Sequence, residues 1–393
     1  MTMRLLDRRK LITATAIASA LPALQSAAKG LDFDMEPRGT TGIFERLPTL
    51  DLESELAFYT SYRTWVRHEV FRQAAQRAVK LFRERGIDPN NNDIPVREVV
   101  EMLEDDPLLS YNVHARETTQ QIMWKAIQDA YHEHGELYLE EMERAEDLGP
   151  GSIELHPEME IPDYAKYEIH LQPGGYVGDP FAGYIYYHGL NVEFANGNYH
   201  DELQVGRANA VPLPADGKVR RVLDQGCSSG QLVLALKNRF PEAEAWGNDV
   251  GAPMLRFAHM RSVDLGIETH YIHELCERTG FPDNYFDIIT NFLLYHETPE
   301  DAGRAIIHEA YRTLRPGGVW YPQDIYTGNP PPRSAYGKFS SWYNYRWNSE
   351  VWWLPYAEWA PDFENEMRRA GFQVVQHRVG SGRRTNVMGI KPA

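Results

Sequence analysis

Cysteine is nearly absent: the chain of 393 residues holds only Cys227 and Cys276, too few for a disulfide framework. Long apolar runs are absent as well. None reaches the roughly 18–20 residues that a membrane-spanning helix needs, so no membrane span is expected. Positive charge is in deficit, with 40 Lys and Arg against 56 Asp and Glu and a net charge of −16. A chain of that sign repels phosphate backbones unless it gathers basic residues locally. The one basic cluster lies at the N-terminus, so nucleic acid is not an expected partner. With 42% hydrophobic and 24% charged residues, what remains is an ordinary globular composition. The length suits about two or three domains.

The basic cluster is Arg4, Arg8, Arg9 and Lys10, followed by the apolar stretch Leu11–Leu24 and the small residues Ser26-Ala27-Ala28. That order is the order of a secretory signal. Asp7-Arg8-Arg9-Lys10-Leu11-Ile12 resembles the twin-arginine export signal. Residues 1–29 are expected to be such a signal, which implies a periplasmic protein, or else an N-terminal helix that stays attached.

Residues 30–150 read as a linker and a helical region. After Asp51, an expected N-cap, Leu52, Leu56, Tyr59, Val66, Val70, Ala74, Ala78 and Leu81 recur at helical spacing, and Gly86 ends the run. A short helix follows Pro95, and a longer helical stretch runs from about Leu108 to Glu146 with a break near Gly135. His132 and His134 lie two positions apart and point to different sides of a helix. They read as part of a solvated face, and no metal is expected. Residues 151–214 are rich in Tyr, Gly and His. Between 164 and 200 they predict a loop or short hairpin covering a pocket, with Tyr184 and His188 as candidate substrate contacts, or else a set of aromatic core anchors.

From Val219 onward strands alternate with helices, the pattern of a parallel sheet covered on both faces. Strands are expected at 219–223, 243–248, 267–273, 286–294 and 319–323, with helices at 230–240, 253–265 and 300–314. A final helix at 363–370 precedes a hairpin at 372–377 and 385–391. The first strand runs through Asp224-Gln225-Gly226-Cys227-Ser228-Ser229-Gly230 into a helix. Glycines there let a ligand approach the backbone, and the helix start offers free N–H groups. Phosphate and dinucleotide sites share such a loop, so the loop alone does not choose among them.

Four ordered motifs together resemble the class I S-adenosylmethionine (SAM) methyltransferases, of the ubiquinone- and menaquinone-biosynthesis small-molecule branch. The first is that loop, with Asp224, Gly226, Ser228 and Gly230 matching the family pattern, Ser228 replacing its middle glycine. The second is Gly247-Asn248-Asp249-Val250 with Pro253-Met254-Leu255. The third is Leu275-Cys276-Glu277 ahead of Phe281-Pro282-Asp283. The fourth is Asn291-Phe292-Leu293-Leu294-Tyr295-His296-Glu297, followed by Leu314-Arg315-Pro316-Gly317-Gly318. The resemblance covers about residues 215–325 well and 360–392 in outline. It implies a Rossmann-like α/β fold with a seven-stranded, mostly parallel sheet over 215–392, and SAM as cofactor.

The resemblance further implies that Asp224, Gly226, Cys227, Ser228 and Gly230 hold the amino-acid end of SAM. Asp249, roughly 20 residues after the loop, would accept from the ribose hydroxyls beside Val250 and Met254. Leu275 stands where the family often has an acid for the adenine amino group, leaving that contact to Glu277 or a backbone group near Cys276. Asn291 and Leu293 complete the expected cofactor set. His296 at the end of the fourth strand is the candidate general base, with Glu297 orienting or replacing it; a packing role for His296 stays open. Tyr295, Asp324 and Tyr326 are candidate substrate contacts. So are Tyr336 and Trp342, in an aromatic segment at 330–360 that reads either as a lid or as an oligomer interface or packing against the N-terminal helices.

The expected activity is direct in-line methyl transfer to a small, apolar or aromatic acceptor, with homo-oligomerisation left open. The rival readings are a protein methyltransferase and a non-catalytic SAM-fold scaffold. SAM is made and used in the cytoplasm, which sets this reading against export.

Overall fold

The computed structural model describes residues 39–91, 94–194, 197–328, 331–348, 351–378 and 385–393. The export-signal motif and the turn at 380–382 lie outside them. No described helix is long and apolar enough to cross a membrane.

After a two-residue hairpin, β1 (Thr40–Thr41) and β2 (Phe44–Glu45), the N-terminal half is helical. Helix α1 (Leu50–Trp65) is capped not by Asp51 but by Thr49, whose hydroxyl accepts from Leu52 N at 3.2 Å. Asp51 falls in the first turn, where a carboxylate suits the positive end of the helix dipole. A π-helical turn at Val66–Val70 joins α1 to α2 (Phe71–Glu84). Helix α3 (Val96–Leu103) begins after Pro95, and α4 (Pro107–Glu133) has Pro in its first turn and an Asp106 cap. The break near Gly135 separates α4 from α5 (Gly135–Glu146).

Residues 163–194 are neither plain loop nor hairpin. They form 3-10 turns at Asp163–Ala165 and Ile169–Leu171, then helix α6 (Ala182–His188), which runs on as a π-helical turn, Gly189–Phe194. Tyr184, Ile185, Tyr187 and His188 are all buried. A helix buried on every side shows no polar face, so its sequence carries no periodicity to read. Helix α7 (Glu202–Ala210) leads into the C-terminal domain.

That domain is doubly wound. Strands β4 (Arg221–Gln225), β5 (Glu244–Asp249), β6 (Thr269–His273), β7 (Phe286–Phe292) and β8 (Leu314–Gln323) alternate with α8 (Gln231–Arg239), α9 (Ala252–Leu265) and α10 (Glu300–Thr313). Between β8 and the closing hairpin come α11 (Ala335–Asn348), α12 (Trp353–Trp359) and α13 (Phe363–Ala370). The hairpin itself is β9 (Gln373–Arg378) and β10 (Thr385–Ile390).

The sheet has eight strands, not the seven expected. The extra one is β3 (Gly151–Glu154), which joins the edge parallel to β6 to give the order β3-β6-β5-β4-β7-β8-β10-β9. Four residues starting at Gly151, directly after Gly149-Pro150, are too few to show an alternation in the sequence. Strand β10 runs antiparallel to β8 and β9, and the other pairings are parallel. The chain lays β5 and β6 to one side of β4 and β7 and β8 to the other, so the sheet reverses its winding between β4 and β7. In open α/β sheets the ligand crevice lies at that reversal, outside the carboxyl ends of the strands.

Two cores sandwich the sheet. Leu223, Ile289 and Trp320 pack with α10, α12 and α13 on one face. Val222, Ile288, Val319 and Tyr321 pack with α7, α8 and α9 on the other. Two further cores bind the helical half to this domain. Phe257 and Met260 of α9 enter a cluster with Trp124, Tyr131, Tyr138 and Tyr184. Phe339, Trp342 and Tyr343 of α11 enter a cluster with Ala78, Phe82, Val99 and Val113.

Candidate active site

A cavity of about 440 Å3 opens at the winding reversal, within the range of small-molecule sites. Its floor comes from the C-terminal domain: Gly226 and Ser228 after β4, Asp249 and Val250 at the end of β5, Met254 of α9, and Cys276 and Glu277. Leu293, His296 and Glu297 after β7 complete it. Its roof comes from the helical half, with Trp124 of α4 and Tyr164, Ile169, His170, Tyr176, Tyr186 and Leu190 of the strap spanning 163–194. Trp353 of α12 closes one side.

The loops on the floor are locally strained. Gly226 has φ 66°, which favours glycine, and a Cβ there would come 2.7 Å from Leu294 Cδ1 and displace that side chain. Ser228 and Leu293 adopt φ of 52° and 60°, the left-handed region that non-glycine residues enter at a cost. His170 on the roof does the same at 59°. Such outliers gather where surrounding structure holds a functional geometry.

Asp249 ties the two loops together. Its oxygens accept from Ser228 N and Gly251 N, each at 2.8 Å. Burial raises its carboxyl to about 6, against the backbone N–H groups of Gly251 and Ser228 that pull it down. Asp224 lies directly beneath the loop. It is buried, its Oδ1 has no hydrogen-bond partner among the described residues, and burial followed by the Asp249 charge pushes its carboxyl well above the usual range. Glu277 accepts from the Tyr164 hydroxyl, and burial raises it too. This half of the cavity therefore presents acceptors in excess of donors.

The other half centres on His296. Its Nδ1 lies 2.6 Å from Asp324 Oδ1. Asp324 is in turn fixed by the backbone N–H groups of Tyr295 at 2.7 Å and Ile325 at 2.6 Å. With both side chains buried, a carboxylate at Nδ1 selects the tautomer that leaves Nε2 as proton acceptor, the arrangement of a carboxylate-oriented base. Glu297 Oε1 lies 4.0 Å from that Nε2 and 3.1 Å from His170 Nε2.

Of the expected residues, Gly226, Ser228, Asp249, Val250, Met254, Cys276, Glu277, Leu293, His296 and Glu297 meet at one cavity. Asp224, Cys227, Gly230 and Asn291 stand behind it. Cys227 Sγ packs on Gly247, and Gly230 (φ 75°) starts α8 against Tyr271 and Ala258. Asn291 Nδ2 donates to the Tyr295 hydroxyl at 3.3 Å.

The expected substrate contacts fall elsewhere. Tyr184 packs on Phe257, with its hydroxyl near Glu141 and Met260, and His188 bonds Tyr131. Tyr295 sits in the core against Trp359 and Phe363. Tyr326 stacks on Tyr356 and bonds Ser341. Tyr336 and Trp342 of α11 pack among the N-terminal helices. Asp324 does not line the cavity but orients His296. The described part of the aromatic segment thus packs along α11, and among the described residues it reaches the cavity only through Trp353. The true roof residues were signalled by the density of Tyr, His and Gly in the strap. Which of those rings face inward depends on turns the sequence does not resolve.

Residues 222–318 match a family model described as a methyltransferase domain. Over those residues the chain is similar to methyltransferase domains. A demethylmenaquinone methyltransferase of Thermus thermophilus is 33% identical over 137 residues, 33% of this chain and 57% of that one. A ubiquinone/menaquinone biosynthesis C-methyltransferase of Burkholderia cenocepacia is 34% identical over 122 residues, 30% of this chain and 49% of that one. The chain thus spans about half the length of the curated relatives it matches. Among solved structures, a putative O-methyltransferase of Nostoc punctiforme is 18% identical, covering 48% of this chain and 56% of that one at a TM-score of 0.37. The helices at 50–146 and the strap at 163–194 lie outside the matched methyltransferase domain.

Proposed function

We propose that the chain is a SAM-dependent methyltransferase acting on a small, apolar or aromatic acceptor. One observation carries this reading: at the winding reversal, a single cavity holds the Asp249 acceptor cluster together with the Asp324-oriented imidazole of His296. SAM is cationic and rich in hydroxyl and amino donors. The lining fits it, because Asp249 and Glu277, with Asp224 Oδ1 behind them and without a hydrogen-bond partner among the described residues, are acceptors that the protein leaves short of donors. An ionised carboxylate has about four acceptor positions. Asp249 uses part of these on the backbone N–H groups of Ser228, Gly251 and Val250 and keeps capacity toward the ribose.

When bound, SAM supplies an electrophilic methyl group ready for direct in-line transfer, so the chain itself needs no nucleophile. Its residues hold and orient. Gly226 and Ser228 would hold the amino-acid end, Asp249 the ribose, and Glu277 with the backbone near Cys276 the adenine. His296 Nε2 takes the proton an acceptor loses, and Asp324 stabilises the resulting imidazolium. The rings of Trp124, Tyr176, Tyr186, Phe292 and Trp353 favour an apolar or aromatic acceptor and exclude water. Enclosure beneath the strap supports a small molecule over a peptide.

Calorimetry with SAM, followed by mass spectrometry of a metabolite extract incubated with the protein and isotope-labelled SAM, tests the reading. SAM binding with a labelled small product supports it. No SAM binding at millimolar concentration overturns it.

A further inference from the structure

Glu297 lies between two imidazoles from different regions of the chain. His170 Nε2 is 3.1 Å from Glu297 Oε1, within hydrogen-bond reach, whereas His296 Nε2 is 4.0 Å from the same oxygen, beyond it. The Tyr176 hydroxyl donates to that oxygen from the strap at 3.5 Å. His170 is held in place in its turn. Its carbonyl accepts from Trp124 Nε1 at 2.7 Å and from Gln120 Nε2, both on α4. Those bonds fix a backbone that sits at φ 59°, a conformation that persists only where neighbours over-determine it. The His170 and Glu297 side chains are mostly buried, and both face the cavity.

We propose that His170, supplied from outside the methyltransferase domain, is a positioning residue: it holds Glu297 off His296 Nε2, the atom that must meet the acceptor's proton. The role rests on the methyltransferase reading with His296 as base. A carboxylate about 1 Å short of an imidazole nitrogen gains a charge-assisted hydrogen bond by closing the gap once Nε2 has taken up a proton from solvent, so its approach favours that uptake. Closing it occupies Nε2 and stabilises the imidazolium over the neutral base. His170 prevents this by giving Glu297 a competing partner on its far side. The groups facing His296 are Asp324 after β8, Glu297 from its own turn, and Tyr356 and Trp353 of α12. Those acting on or affected by Glu297 are His170 and Tyr176 on the strap, Tyr186 on α6, and Asp249 at the end of β5.

The test is an NMR titration of protein labelled with carbon-13 at histidine Cε1, with His296→Gln assigning the signal. It requires neither SAM nor acceptor. His170→Ala should move the His296 midpoint upward by about one pH unit or more. His170→Gln, which keeps an N–H donor, should leave it near the wild-type value. His170→Ala combined with Glu297→Gln should abolish the upward move, which entry of water alone would not. If the alanine variant does not fold, His170→Asn, too short to reach Glu297, replaces it. An unmoved midpoint, or an upward move that persists with Glu297→Gln, overturns the role of His170. Failure of the wild-type protein to bind SAM in calorimetry overturns the methyltransferase reading instead, so the two failures are told apart.

Discussion

The methyltransferase domain and the helical half solve different problems with different chemistry. The domain places backbone N–H groups, glycines and carboxylates at strand ends, where position follows from the sheet. Asp249 and His296 are where they are because β5 and β7 end there. The helical half places rings. It contributes Trp124, Tyr164, His170, Tyr176 and Tyr186 to the cavity, and it is fastened to the domain by apolar clusters on α9 and α11. On the proposed reading the floor serves cofactor and proton, and the roof serves acceptor and enclosure. Polar clasps cross between them at Tyr164 with Glu277 and at His170 with Glu297.

The sharpest way to break this division is on the floor. His296→Ala should lower kcat about 10²–10⁴-fold, the usual worth of a positioned base, with SAM affinity unchanged in calorimetry. An equal fall in affinity would move His296 from proton transfer to cofactor binding. Asp249→Ala should weaken SAM binding about 100-fold, since hydrogen bonds to a charged group contribute about 1.5–3 kcal/mol each. Affinity within threefold of wild type would refute the ribose assignment.

On the roof side, Trp342→Ala removes a buried ring of α11 and should cost about 3–5 kcal/mol in denaturant unfolding. Folded protein should still bind SAM, because the described side chains of α11 pack among the N-terminal helices and none of them lines the cavity. A selective loss of acceptor use, with stability intact, would restore α11 as a lid.

A smaller effect comes from pH. The Asp249 carboxyl titrates near 6 in the fold and near 3.9 when unfolded. The folded form therefore holds the extra proton, and its stabilising contribution is complete below about pH 4. As pH rises from about 4 to 6 that contribution is lost, roughly 2–3 kcal/mol in all. Thermal melts of SAM-free protein should show Asp249→Asn flattening the fall. SAM donors need the ionised carboxylate, so SAM affinity should drop as pH falls below about 6. A pH-independent affinity would mean that Asp249 does not face the ribose.

Much of the floor is legible because its signals are local. Asp224-Gln225-Gly226-Cys227-Ser228-Ser229-Gly230 declares a strand, a tight turn and a helix start within a few residues. Asp249 follows at the interval that one strand–helix–strand unit imposes. The roof gives no such signal. Tyr184 and Tyr186 differ by two positions on one buried helix, and only Tyr186 lines the cavity, because the rotation of α6 is set by its packing on α4 and α9. Tyr336 and Trp342 look like lid aromatics until α11 is seen to complete an N-terminal helical core.

By itself the sequence determined the doubly wound domain, the loop after β4 and the residues at the ends of β5 and β7, because period and turn chemistry act over short spans. Only the tertiary structure decided that Asp324 holds His296, that β3 adds a strand to the edge, and that His170 reaches Glu297 from 127 residues away. Those pairings depend on how separate helices and strands pack on one another, and no local pattern along the chain encodes that geometry.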